Sequence, residues 1–222
     1  MRHFNINYHS FSIASFALVL GANLLPLGNQ ALAHHPLSGE KMTSLWHGLL
    51  SGIGHPIIGL DHLAFIIGVA LVARMMVKKW QAPLAFIGAT LAGALVLNQI
   101  TIPFMELMIA ASVLLVGIGL VAAKGKNNST MVATVIGLAG LLHGAAYGGA
   151  IIGVEPTPII GYLVSFAVTQ FVIMLVAAKV MDYFIAKSKA SYDLMPVKLA
   201  GSAIFGIGFV YIFEHAESML LG

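Results

Sequence analysis

The chain contains no cysteine among its 222 residues, and only 9% of its residues are charged. The lack of thiols excludes disulfides and thiolate-bound metals, so any metal ion must use His, Asp, Glu, Met or backbone oxygen ligands. A soluble globular domain carries about 25% charged residues. Here hydrophobic residues make up 59% of the chain, and the mean hydropathy is +0.95. This composition is typical of an integral membrane protein.

The apolar runs reach the length of about 20 residues that a helix needs to cross a bilayer. Strands of alternating polar and apolar residues are missing, so the sequence predicts an all-α membrane protein. We expect one bundle of six transmembrane helices, at residues 57–77, 82–101, 103–123, 130–152, 157–181 and 195–216. A helix-like piece from Met42 to Gly54 precedes them and is too short to span. Several helix-weakening residues then interrupt it, namely Gly52, Gly54, Pro56 and Gly59. We therefore expect a short re-entrant or broken helix before the first span.

The first 33 residues have the features of a cleaved signal peptide. Arg2 supplies a positive charge, residues 11–20 form a short apolar stretch, and residues 31–33 (Ala-Leu-Ala) fit the A-x-A cleavage rule. Cleavage would leave residues 34–222 as a single six-span domain with its N-terminus outside. An uncleaved signal anchor is the alternative. The new terminal amine beside His34 and His35 has the groups to chelate a divalent ion, although a tail without a ligand role explains it equally well.

Basic residues mark one side of the predicted bundle. If the mature N-terminus is outside, the positive-inside rule places the following on the inner side: Arg74, Lys78, Lys79, Lys124, Lys126, Lys179, Lys187, Lys189 and Lys198. The opposite side carries Glu40, Glu155, Glu214 and Glu217. We therefore expect a multi-pass protein of a bacterial-type inner (plasma) membrane, with both mature termini outside. The net charge of +3 is then a signal of topology and gives no reason to expect nucleic-acid binding.

The segment from Gly54 to Phe65 places His55, Asp61 and His62 in an otherwise apolar stretch. Ionisable side chains are costly in hydrocarbon, and where they occur they usually mark an ion or substrate pathway. His55 capping a free carbonyl, and Asp61 capping the first span, are the structural alternatives. Because Asp61 and His62 are adjacent, their side chains diverge by about 100° on a helix. One of them is then expected to orient the other rather than share its ion.

Other spans bring polar groups to a similar depth. At 1.5 Å per residue, His143 and Gln170 lie about 18 Å from the inner edge, close to the depth of Asp61 and His62. The same count places Glu106, Glu214 and His215 nearer the outer surface, where we expect an acidic vestibule. Near His143, glycines recur at every fourth position from Gly140 to Gly148, which is typical of close helix packing. Such packing is expected to bring His143 towards the first span.

These residues carry a resemblance to a known family. His55-Pro56-x-x-Gly59-x-Asp61-His62 resembles the H-P-x-x-G-x-D-H signature of the HupE/UreJ proteins, small membrane proteins associated with nickel or cobalt uptake. The family's second motif, F-H-G-x-x-x-G-x-E, is matched at His143, Gly144 and Gly148. Leu142 replaces its Phe, and Ala150 stands where its Glu is expected.

The resemblance implies a permease that carries Ni²⁺ or Co²⁺ inward, with His55, Asp61, His62 and His143 at the metal site. His34, His35, Glu106, Gln170, Glu214 and His215 are candidates for metal entry or auxiliary roles. The metal is then cargo, no prosthetic group or enzymatic activity is expected, and the sequence contains no nucleotide-binding motif. Two other functions remain open from the residues: a metal-dependent intramembrane hydrolase assisted by Ser51 or Ser165, and a non-transporting metal sensor or accessory protein.

Overall fold

The computed structural model describes residues 41–124, 128–187 and 194–221. These ranges fold into α-helices and one short 3-10 turn, Gly149–Ile151, without a strand among the described residues. The helices are α1 Leu45–Ile58, α2 Leu60–Arg74, α3 Gln81–Val96, α4 Met105–Val121, α5 Ser129–Gly148, α6 Pro156–Lys187 and α7 Met195–Leu221. The predicted signal peptide and the residues His34 and His35 lie outside the described ranges, so those assignments stay predictions.

The helix before the first span is broken at a single residue. Ser44 caps the start of α1, where its hydroxyl accepts a hydrogen bond from the His47 backbone N–H at 3.2 Å. Gly59 then ends α1 and begins α2 with an extended backbone, and the two helices meet at 80°. We had expected the interruption to extend from Gly52 to Gly59. Instead α1 continues through Pro56, because a proline removes only one N–H donor and lies here in the last turn.

The number of helices that can cross a membrane is smaller than the six expected. Among the described residues, α6, α7 and α5 with its 3-10 turn are long and apolar enough, and the bent pair α1–α2 adds a fourth if it counts as one span. The helices α3 and α4 have 16 and 17 residues, or about 24–26 Å against a hydrocarbon core of about 30 Å. They are shorter than the expected 82–101 and 103–123. Six spans therefore remains a prediction.

Three helix pairs make the closest contacts in the bundle: α1 with α6, α3 with α5, and α4 with α7. Each pair meets at glycines. A Cβ at Gly52 would overlap the Tyr162 carbonyl, and one at Gly208 would overlap the Leu114 backbone. Residue pairing along these contacts shows that α1–α6 and α3–α5 are parallel and α4–α7 antiparallel. Small residues at the contacts let the helix backbones approach each other, which lipid-embedded helices need for tight packing.

The glycine stripe of α5 packs against α3, and His143 lies towards the first span, as the sequence predicts. Gly140 faces Phe86, Gly144 faces Thr90, and Gly148 faces the region of Ala94 and Asn98. His143 is next to this stripe in sequence, yet its ring lies beside His62 of α2. The glycines thus fix α5 on α3, and the neighbouring face of α5 brings His143 to α2.

Helix α2 lies at the centre of the bundle and contacts α3, α4, α6 and α7. Its side chains Phe65, Ile66, Val69 and Leu71 are each at most 1% exposed. In contrast, α6 exposes a valine at every fourth position from Val164 to Val180. An apolar stripe of this length is unfavourable in water but suits contact with lipid chains. The bundle is therefore built around α2, with apolar side chains facing both inward and outward.

Charged residues gather at one end of the bundle. Arg74, at the end of α2, forms an ion pair with Asp182 of α6. Lys79 and Lys179 line a cavity of about 270 Å³ beside this ion pair. At this end the Lys78 backbone N–H also donates to the Ser129 hydroxyl, at 2.8 Å. The predicted grouping of these basic residues is present, while the side of the membrane that they face stays a prediction.

Replacing Gly144 with alanine tests the α3–α5 contact. The added Cβ would meet the carbonyl group of Thr90, which is backbone and cannot rotate away. We expect Gly144→Ala to lower the free energy of unfolding by about 1–3 kcal/mol and to reduce the melting temperature in detergent. Gly88→Ala is the matched control on α3, because a Cβ there has nothing within 4 Å. Equal stability of the two variants would contradict the close packing.

Candidate functional site

Asp61 and His62 occupy the first turn of α2, next to the break at Gly59. One oxygen of Asp61, Oδ1, accepts hydrogen bonds from both the backbone N–H and the ring Nδ1 of His62, each at 2.8 Å. Gly59, and not Asp61, is the N-cap residue of α2, so the alternative of Asp61 as a helix cap is wrong. Because an ionised carboxylate only accepts, Nδ1 must carry the proton of a neutral His62 ring. Asp61 therefore orients the imidazole, as expected for one member of this pair.

His143 of α5 lies against His62. The ring centroids are 4.8 Å apart, and the planes are nearly perpendicular at 79°. His143 is fully buried, with Phe65 on one side at a centroid distance of 4.3 Å. Its Nε2 is 2.9 Å from the Ser112 hydroxyl of α4. Three helices thus place two imidazoles and a serine in an apolar interior.

Each of the two imidazoles has one nitrogen left over. Among the described residues, Nε2 of His62 and Nδ1 of His143 are buried and make no hydrogen bond. The hydroxyl of Tyr147, one turn after His143, is also buried without a hydrogen bond among the described residues. The centroid of the Tyr147 ring lies 4.4 Å from that of His62. Buried polar groups are normally paired, so such a group calls for an explanation. Imidazole nitrogen is a good ligand for divalent Ni, Cu, Zn and Fe, and these two nitrogens have the chemistry to bind such an ion.

His55 lies at the edge of this cluster. Its Nδ1 is 2.8 Å from the hydroxyl of Tyr162, so it does not cap a backbone carbonyl through that nitrogen. The centroid of its ring is also 5.4 Å from that of Tyr147. The Tyr147 ring therefore lies between His55 and the imidazoles of His62 and His143. The parallel contact of α1 with α6 brings His55 to Tyr162, and Tyr147 connects His55 to the α2–α5 histidines. The structure thus brings His55, Asp61, His62 and His143 into one region.

Gln170 reaches the same region from α6. Its Oε1 accepts a hydrogen bond from the Thr90 hydroxyl of α3 at 3.3 Å, while its Nε2 has no partner among the described residues. Thr90 packs against Gly144, the neighbour of His143. Gln170 is 1% exposed. The depth count from the sequence therefore placed Gln170 near the histidines, although its contact is with Thr90.

The candidate vestibule residues gather at one end of the bundle. Because α4 and α7 are antiparallel, Glu106 in the first turn of α4 lies at the same end as Glu214 and His215 near the end of α7. Glu106 is exposed, and the other two are half-buried.

The cluster is not a closed metal site. Within residues 41–124, 128–187 and 194–221, no three His, Asp or Glu side chains are grouped so that they could hold one ion. Oδ1 of Asp61 already accepts from His62. Ala150, in the 3-10 turn after α5, provides no carboxylate. Any ion bound by His62 and His143 would complete its coordination with Tyr147, with water or with a rearranged neighbour. Of the two serines considered for hydrolysis, Ser165 donates its hydroxyl proton within its own helix. The hydroxyl of Ser51 is buried and has no hydrogen-bond partner among the described residues.

Three residues that bond to the candidate site were not predicted from the sequence. Ser112, Thr90 and Tyr162 are polar residues within largely apolar helices, on α4, α3 and α6. Each of them bonds to a residue that the sequence did predict. The available signal was weak: a polar side chain at a depth similar to the histidines. Ser and Thr are common in membrane helices because they bond to their own backbone, so depth alone did not separate them.

The fold and the cluster together define a helical membrane protein with buried imidazoles in its core. Comparison with known families refines this class. The family described as HupE / UreJ protein matches residues 22–211, which is most of the chain. This protein therefore belongs to the HupE/UreJ family, which is implicated in nickel and cobalt handling as a metal transport or accessory family.

One curated relative is "Protein HupE" of Rhizobium leguminosarum bv. viciae, which is 34% identical over 104 residues. The match covers 46% of this chain and 54% of the relative, so the two correspond over about half of their lengths. No solved structure matches the chain significantly.

Removing the Asp61 carboxylate should weaken metal binding without removing a nitrogen ligand. Partners that orient a ligating histidine typically contribute a factor of about 10–100 to metal affinity. We expect a loss of this size for Asp61→Ala in titration calorimetry of the purified protein with Ni²⁺ or Co²⁺. Asp182→Ala, which breaks the ion pair at the charged end, should leave the affinity unchanged. If both variants bind as the native protein does, Asp61 has no part in the site.

Proposed function

We propose that this protein is a secondary-type membrane permease for a divalent transition-metal cation, Ni²⁺ or Co²⁺. The observation that carries the proposal is the pair His62 and His143, two buried imidazoles from different helices, each with an unbonded nitrogen. Leaving two such nitrogens unpaired in a membrane interior is costly unless a ligand uses them. The family's link with nickel and cobalt supports the choice of ion.

The proposed path begins at the acidic end of the bundle. Glu106 and Glu214 would raise the local concentration of a hydrated cation there. The ion would then exchange part of its water for His62 Nε2 and His143 Nδ1. His55 and Tyr147 line the approach through their ring contacts. Asp61 keeps the His62 ring in place and lowers the electrostatic cost of bringing a cation into the interior.

The incomplete ligand set suits transport. An ion held by four protein ligands in a fixed geometry is released slowly, as in structural zinc sites. A conducting site must bind strongly enough to admit the ion and weakly enough to release it. Two imidazoles with retained water meet both needs. The replacement of the family Glu by Ala150 removes one more candidate ligand, in the 3-10 turn after α5, which favours weak binding.

The membrane arrangement is part of the proposal. We propose a multi-pass protein of the inner membrane, with the basic end that contains Arg74 and Lys79 inside and the glutamate end outside. The cation then enters from the outer side and leaves towards the basic end. The ion is cargo, and no prosthetic group is proposed.

Metal uptake by cells distinguishes a permease from an accessory protein. Transporter-deficient cells that express this chain should take up radiolabelled Ni²⁺ or Co²⁺ with saturation, and His62→Ala or His143→Ala should reduce uptake to background at equal expression. His47→Ala is the matched control, because His47 precedes the cluster and bonds locally to Thr43. Binding of the metal by purified protein without any uptake would assign an accessory or sensor role. Uptake that persists in both variants would exclude this site.

The orientation can be tested by thiol labelling, since the native chain has no cysteine. The thiol of a Glu155→Cys variant should react in intact spheroplasts with a reagent that does not cross membranes. The thiol of a Lys78→Cys variant should react only after lysis, because the inner end is then exposed. Both native side chains are exposed, so access within the protein is similar. The reverse pattern would invert the proposed topology.

A further inference from the structure

We propose that Ser112 is a positioning residue that fixes the proton of His143 on Nε2 and thereby presents Nδ1 as a ligand for a divalent cation. Ser112 belongs to α4, outside both sequence motifs. The metal step of this inference rests on the function proposed above. The position of the proton does not, because it follows from contacts within the protein.

The hydroxyl of Ser112 has two partners and only one proton. Its Oγ lies 2.7 Å from the carbonyl oxygen of Ile109 and 2.9 Å from Nε2 of His143. Two oxygens at 2.7 Å need a proton between them, and the carbonyl has none to give, so Ser112 donates to Ile109. The hydroxyl is then left as an acceptor towards His143. The hydrogen bond therefore requires an N–H at Nε2.

A neutral imidazole carries a single N–H, so a proton on Nε2 leaves a lone pair on Nδ1. In His143 this Nδ1 is buried and makes no hydrogen bond within the described parts of the chain. The same logic operates in reverse at His62, where Asp61 holds the proton on Nδ1 and leaves Nε2 unbonded. Metal-binding histidines almost always donate their second N–H to a fixed acceptor. Ser112 would fill that role for His143.

The surroundings of His143 favour Ser112 as this acceptor. Phe65 and Phe86 lie against the ring at centroid distances of 4.3 and 5.9 Å and offer no conventional acceptor. The carbonyl bond to Ile109 also fixes the direction of the Ser112 hydroxyl, because that bond lies within one turn of α4. The acceptor is therefore held in place before a metal arrives. Preorganisation of this kind is what tunes a ligand in a metal site.

A matched pair of substitutions isolates the hydroxyl. Ser112→Thr keeps the hydroxyl and adds a methyl group. Ser112→Val has nearly the same shape as the threonine variant but no hydrogen-bond acceptor. Ser112 lines a cavity of about 430 Å³ together with Leu115 and Val116, so there is space for the extra methyl. Ser112→Ala is a smaller variant without the hydroxyl, which serves if valine disturbs folding. Size-exclusion chromatography and thermal unfolding in detergent verify that each variant is folded.

The first readout is the proton position in metal-free protein. Nitrogen NMR of the ¹⁵N-histidine-labelled protein, with His143→Ala to assign the signals, distinguishes a protonated Nε2 from a protonated Nδ1. We expect protonated Nε2 in the native protein and in Ser112→Thr. In Ser112→Val and Ser112→Ala the population should shift towards protonated Nδ1. An unchanged Nε2–H in the variants without a hydroxyl would overturn the inference.

The second readout is affinity for Co²⁺ or Ni²⁺ by calorimetry. Ser112→Val should bind about 10–100-fold more weakly than the native protein, and Ser112→Thr should bind like it. Native affinity in Ser112→Val overturns the metal step, even if the proton has moved. Native affinity in His143→Ala instead shows that the proposed site is wrong, whereas the NMR result still decides the role of Ser112 in proton placement.

Discussion

The cost of burying polar groups in an apolar bundle is the constraint on which the rest of this structure depends. It explains why each buried histidine has a hydrogen-bond partner from the protein: Asp61 for His62, Ser112 for His143 and Tyr162 for His55. Two of these bonds join separate helices, because Ser112 of α4 bonds to His143 of α5 and Tyr162 of α6 bonds to His55 of α1. Satisfying one nitrogen of a ring also determines which nitrogen is left, and that choice gives the cluster its chemistry.

Close helix contacts make these partnerships possible. Glycines on both the α3–α5 and the α4–α7 contacts let backbones meet, which leaves α2 enclosed by its neighbours. The break at Gly59 then brings the first turn of α2 into the interior instead of leaving it inside a continuous helix. Free N–H groups at a helix start favour a nearby carboxylate, which stabilises Asp61 there. Backbone irregularity and ligand placement are therefore linked.

Much of the fold was predictable because hydropathy and glycine act locally. Composition indicated a helical membrane protein, the broken helix before α2 was expected, and the ends of α5 fell close to their predicted positions. The turn between α3 and α4 was not predicted at its full length: α3 ends at Val96 and α4 begins at Met105, after Pro103, whereas a single residue was expected between the two spans. The α5 glycine stripe was expected to bring His143 towards the first span, and His143 does lie beside His62, although the stripe itself packs against α3. A stripe of small residues shows that some helix packs closely but carries no information about which one.

The sequence by itself determined the residue types of the candidate site, since ionisable groups in an apolar segment are costly and stand out wherever they occur. The adjacency of Asp61 and His62 also indicated that one would orient the other, although their side chains meet at 2.8 Å instead of diverging. Only the tertiary structure decided that His143 meets His62, that Gln170 bonds to Thr90, and that Ser112 faces His143. Those contacts join residues 31 to 81 positions apart. Helix pairing sets them, and it depends on the shapes of whole helix surfaces rather than on any local pattern.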